Sequence, residues 1–197
     1  MMFSFRRSIG FAAVPVLAFA LFTAPAAAAT YTIDGTHSSA IFKIQHFGVS
    51  NFYGAFSALS GTIEYDAANP EGLSIQVSIA ADSVTTRAEN RDNHVKSPDF
   101  LNAAEFPTIT FESTGVSQTG DGQYEVTGNL TLHGVTREMT VTAERVGEGA
   151  HPRSGKELVG FESHFTVDRT EHDMGFMAGP LSAEIDFILS LEAGAAD

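Results

Sequence analysis

Eight stretches of this chain alternate apolar and polar residues with a period of two. In the clearest, 181–192, Leu181, Ala183, Ile185, Phe187, Leu189 and Leu191 share one face, while Ser182, Glu184, Asp186, Ser190 and Glu192 share the other. Successive strand side chains point to opposite faces, so this pattern predicts a sheet that is oily on one side and wet on the other. The candidate strands are 38–46, 54–65, 73–82, 108–114, 123–132, 137–146, 158–168 and 181–192. An even set of such strands predicts an all-β fold, an eight-stranded antiparallel β-barrel, because closure removes the unpaired edges of an open sheet. A small barrel with an apolar inner face has room for an apolar guest, so function is expected in the interior.

Turn chemistry separates the strands. Asn69-Pro70-Glu71-Gly72, Gly120-Asp121-Gly122 and His133-Gly134 read as short connections, and Gly61 as a bulge or a barrel corner. Two segments break the alternation. Residues 86–104 mix charged and small side chains, and Thr86 is expected to cap a short helix there. Glu89, three residues on, would complete a capping box, and Pro98 would end the helix. Residues 169–180, with two Gly, two Met and Pro180, read as a long loop able to act as a lid.

Residues 1–29 have the layout of a cleaved secretory signal peptide: Arg6 and Arg7, an uncharged apolar run from Ile9 to Phe22, and Ala27-Ala28-Ala29 before Thr30. The run is too short to span a bilayer, so no stable membrane anchor is expected after cleavage, and the single domain 30–197 is placed in the periplasm. With a formal net charge of −13 and no basic stripe, nucleic acid is excluded as a partner. The absence of Cys excludes disulfides, thiolate metal sites and a Cys nucleophile.

Seven His raise the question of a metal site, but none has a paired ligand spacing on a helix or strand, and no metal or cofactor is expected. Arg91-Asp92-Asn93-His94 places an Asp near an imidazole, which is half of a nucleophilic triad. No G-x-S-x-G elbow supplies the nucleophile, and the cluster reads first as a structural ion pair fixing the helix against the barrel mouth.

The ordered set Asp34-Gly-Thr-His37-Ser38, Phe42 and His46, Gly54-Ala-Phe56, Gly61, Arg91-Asp92-Asn-His94, Ser97-Pro98-Asp99-Phe100, Phe106-Pro107-Thr-Ile-Thr-Phe111, Gly128 to Thr136, and Val167-Asp-Arg169 before Met174-Gly175 resembles the YceI-like family of exported lipid-binding proteins. The likeness runs from about Tyr31 to Glu192; the 147–157 stretch departs from it and reads as a longer hairpin. The resemblance implies a lipocalin-like barrel that holds a polyisoprenoid or similar long-chain amphiphile in the bacterial periplasm. On that reading Phe42, Ile44, Phe56, Phe111, Phe161 and Phe165 form the wall, and Asp92, His94 or Arg169 meet the polar head. His46 and Phe100 complete the expected binding set, and no residue is assigned to catalysis. Two alternatives stay open: a hydrolase or isomerase using His94 and Asp92 on a lipid head group, and a ligand-free module that binds another envelope protein. A homodimer is also left open.

Overall fold

The computed structural model describes residues 28–196. Residues 1–27, which hold most of the predicted leader, lie outside the described residues. The remainder forms one sheet that closes on itself. Its strands are β1 (Ala29–Ile33), β2 (Ser39–His46), β3 (Ser50–Phe56), β4 (Leu59–Tyr65), β5 (Ser74–Ala80) and β6 (Val84–Thr85), then β7 (Thr108–Gly120), β8 (Gln123–Leu132), β9 (Val135–Ala150), β10 (Glu157–Asp168) and β11 (Glu184–Ala195). Closure comes from β11, which pairs β2 through Asp186–Ser190 and β1 through Ala193–Ala195. β1 and β2 are therefore two halves of one kinked stave. β3 and β4 form a second, and β5 and β6 a third, since β1 pairs β4 while β2 pairs β3, and β4 pairs β5 while β3 pairs β6. With the five unbroken strands this makes eight antiparallel staves, the barrel expected from the alternation.

The kinks account for the differences from the sequence reading. The expected strand 54–65 is split at Ser57 and Ala58, and β1 and β6 carry no clear alternation of their own. At Gly61 the chain does not bulge; the register with β5 runs through unbroken. Gly61 has φ +150°, and a Cβ there would lie 1.9 Å from the Gln76 carbonyl oxygen, so the two backbones meet where only hydrogen fits. The His133-Gly134 turn has positive φ at both residues, +51° and +74°, the mirror-image turn whose twist suits a hairpin. The 147–157 stretch is the longer hairpin expected: β9 runs to Ala150, residues 151–156 turn, and β10 starts at Glu157, with a register shift at Gly160 and Phe161.

The helix α1 is Glu89–Lys96, and Ser97-Pro98 ends it as expected. The capping box does not form. Ala88 occupies the N-cap with no side-chain bond, and Arg87, at φ +62°, turns the chain between Thr86 and the helix. Thr86 is instead buried, and Asp92 reaches back from the helix to accept from its backbone N–H and its hydroxyl. The core fills the barrel with the inward members of each strand, among them Ile63, Val126, Val159 and Ala193, all at most 1% exposed. Burying one such branched side chain contributes about 2 kcal/mol. No helix among the described residues is long and apolar enough to cross a membrane.

Candidate functional site: a cavity at one end of the barrel

The two ends of the barrel are built differently. One is closed by aromatic side chains. Phe161 packs edge-on against Tyr65 and Tyr124 at 5.6 and 6.0 Å, and Arg145 donates to the Tyr65 hydroxyl at 2.7 Å. Burial pushes the Tyr65 phenol up to about 12, so it stays protonated at the base of the barrel.

At the other end lie the β2–β3 hairpin, the 81–107 connection with α1, the β8–β9 turn and the 169–183 connection. They enclose a cavity of about 450 Å³, within the range of sites that bury small molecules. Its wall is mainly apolar: Phe42, Ile44, Phe52, Phe56, Ile185 and Phe187 from the strands, with Val95, Phe100 and Leu101 from α1 and the segment after it. Two smaller voids of about 50 Å³ each lie further in. The first shares Phe56, Ile109, Leu132 and Phe187 with the main cavity; the second shares Phe111, Leu130, Phe165 and Leu189 with the first. The interior is thus a file of three spaces divided by side chains. Phe165 and Phe187, stacked at 5.3 Å, and Phe56, packed on Phe42 at 5.7 Å, are among the dividers.

The 169–183 connection is pinned by a buried cation. Arg169, 3% exposed, opens a short 3₁₀ turn (Arg169–His172) and lines the cavity. Its guanidinium donates to the carbonyls of Ser182 at 3.0 Å, Phe176 at 2.9 Å, Leu181 at 3.3 Å and Met174. Burial lowers its pKa from the ordinary arginine value, and the neighbouring Asp168 opposes that shift. The turn is also tied to the β8–β9 hairpin, where His133 Nδ1 meets the His172 carbonyl and His172 Nδ1 the Val135 carbonyl, each at 3.1 Å. Phe176 and Met177 remain about 40% exposed; Phe176 packs edge-on against Phe100 and His94 at 5.3 and 6.0 Å, and the N–H of the half-exposed Phe47 on the β2–β3 hairpin bonds the Pro180 carbonyl.

The residues singled out from sequence divide among these spaces. Phe42, Ile44, His46, Phe56, His94, Phe100 and Arg169 line the main cavity. Phe111 and Phe165 line both inner voids, and Phe161 borders the innermost. Asp92 lines none of them, its carboxylate being occupied by Thr86. The Asp92–His94 pairing is not formed: His94 Nε2 lies 2.9 Å from Asp99 Oδ2, while the Asp92 carboxylate bonds Thr86. Sequence reasoning missed Phe52, Arg91, Phe187 and Met177. Phe187 sat in the clearest alternation and Arg91 in the charged cluster, whereas Phe52 precedes the strand as read from sequence.

Outside the barrel, Asp34, His37 and Glu192 bring ligand-type atoms within 4.8 Å of one another, with His37 Nδ1 at 2.9 Å from Asp34 and 3.8 Å from Glu192. All three are solvated, and the Asp34–Thr36–His37 hydrogen bonds of the β1–β2 kink explain their approach.

An antiparallel eight-stave barrel with an apolar cavity open at one end defines a lipocalin-like binding fold. The sequence matches the YceI-like domain over residues 31–193, and the chain belongs to that family. It is 42% identical over 179 residues to the UPF0312 protein of Ectopseudomonas mendocina, covering 90% of this chain and 93% of that protein. Among solved structures it resembles BcnA of Burkholderia cenocepacia, with a TM-score of 0.75 at 22% identity, covering 82% of this chain and 99% of that one. It also resembles a polyisoprenoid binding domain from Saccharophagus degradans implicated in plant cell wall breakdown, with a TM-score of 0.64 at 16% identity, covering 84% and 98%.

Proposed function

We propose that this protein is a periplasmic carrier that holds the tail of a long-chain isoprenoid or similar amphiphile inside the barrel, after export on a signal peptide spanning residues 1–29. The observation that carries the reading is the apolar cavity of about 450 Å³ with two voids beyond it. Family membership and the polyisoprenoid binding domain with the same fold support the ligand class. Each buried CH₂ contributes about 0.8 kcal/mol, so one five-carbon unit supplies roughly 3 kcal/mol before entropy losses. A few units reach micromolar affinity, near −8 kcal/mol. The head-group enzyme built on Asp92 and His94 loses its motivating pair, because each partners another residue.

Native mass spectrometry of protein purified without detergent tests the carrier. A lipid adduct is expected. Bare protein that also fails to retain added polyprenols or quinones would overturn the reading.

A further inference from the structure

The ionisable side chains lining the main cavity are of one kind. Arg91, Arg169, His46 and His94 border it, and no carboxylate does, although the whole chain carries a formal net charge of −13. A cation beside an apolar space is costly unless something solvates it. For Arg169 that something is the set of four loop carbonyls. Arg91 is held differently. Its Nε donates to Thr86 Oγ1 at 2.9 Å and its Nη2 to the Thr86 carbonyl at 2.8 Å, so a single residue occupies one edge. Its face lies over the Phe52 ring, 4.3 Å from the centroid. These contacts fix the guanidinium in place and leave Nη1 unbonded among the described residues. Arg91 makes no direct ion pair among the described residues: Asp92, whose carboxyl pKa the Thr86 hydrogen bond lowers and the Arg91 charge helps to lower, is joined to it only through the Thr86 hydroxyl, and Asp99 bonds His94. A guanidinium immobilised on one edge and one face is already organised to take an anion on the rest of its fork.

We infer that Arg91 anchors an anionic oxygen head group, a carboxylate or a phosphate ester, on the amphiphile whose tail fills the cavity. The inference rests on the carrier reading and narrows its ligand to acidic lipids. The four basic or imidazole groups around the opening favour such a head, while the acidic outer surface keeps long-range attraction weak. Selection therefore happens at contact, inside the mouth.

Displacement of the neutral dye Nile red measures this with tail-matched pairs: farnesyl phosphate against farnesol, and dodecanoate against dodecanol. The wild-type protein is expected to bind the acids about tenfold more tightly than the alcohols. In Arg91→Gln that preference disappears while alcohol affinity is kept, and Arg91→Lys retains part of it. A preference confined to one pair supports the anchor and identifies the head as phosphate or carboxylate. Arg91 also ties down Thr86, so a variant that weakens acids and alcohols by the same factor reports lost local structure and overturns the anchoring role. Equal binding of acid and alcohol by the wild type overturns the inference while leaving the carrier intact. Failure to bind the dye and all four ligands overturns both.

Discussion

Asp34 and His37 show how one contact at a kink sets a pH response. The hydrogen bond from His37, joined by the Thr36 N–H, holds the Asp34 carboxyl down at about 2, and the same bond raises His37 above its usual 6.5. A depressed carboxyl contributes stability that is complete above its unfolded value of 3.8 and is lost as pH falls toward 2. A raised imidazole contributes below 6.5 and loses that contribution as pH climbs through its folded value. Both contributions coexist near pH 5. Thermal unfolding of Asp34→Asn should therefore fall furthest below wild type at about pH 5, with the gap closing toward pH 2 and again at alkaline pH; a gap independent of pH would contradict it. Arg169 has the larger structural burden. Arg169→Met strands four carbonyls and is expected to cost about 3 kcal/mol in urea denaturation, with hydrogen exchange quickening first across 174–182.

Among the elements, the kinked staves decide where the chain tolerates change. Gly61 faces the Gln76 carbonyl across the β4–β5 ladder, so Gly61→Ala must push two paired strands apart. Urea denaturation should register a loss of about 3 kcal/mol. Gly115, at an irregularity of the β7–β8 ladder, has open space where its Cβ would lie, and Gly115→Ala should stay within about 0.5 kcal/mol of wild type. Equal costs at the two sites would show that close approach is not what requires glycine. The α1 segment follows a related logic. Its sequence offered a capping box, but Thr86 is buried before the helix begins and bonds Asp92 instead of capping.

At the scale of the whole molecule, Phe187 stands between the main cavity and the first inner void, and Phe165 stacks on it from within. Phe187→Ala is expected to merge these spaces, at a stability cost of about 3 kcal/mol. Its effect on ligands should depend on tail length: in a series of neutral prenols displacing Nile red, the longest should gain most over wild type. A uniform change across the series would mean that the ring does not limit depth.

The barrel was legible in the alternation alone. Side-chain direction in a strand has a period of two, so eight alternating runs without Cys or a basic stripe left few other ways to bury their apolar faces. For the same reason Phe42 and Phe56 were legible as cavity wall, and Phe187, not singled out as a lining residue, lies on the inward face of the clearest alternation. That the interior is partitioned rather than open emerged from packing, because a void depends on how rings from non-neighbouring strands meet. Packing also decided which charges face that interior. Asp92 and Arg91 adjoin in the chain, yet the helix turns one toward Thr86 alone and sets the other over Phe52 at the cavity's edge. Neighbours on a helix point about 100° apart, and no linear pattern says which of them the barrel mouth will face.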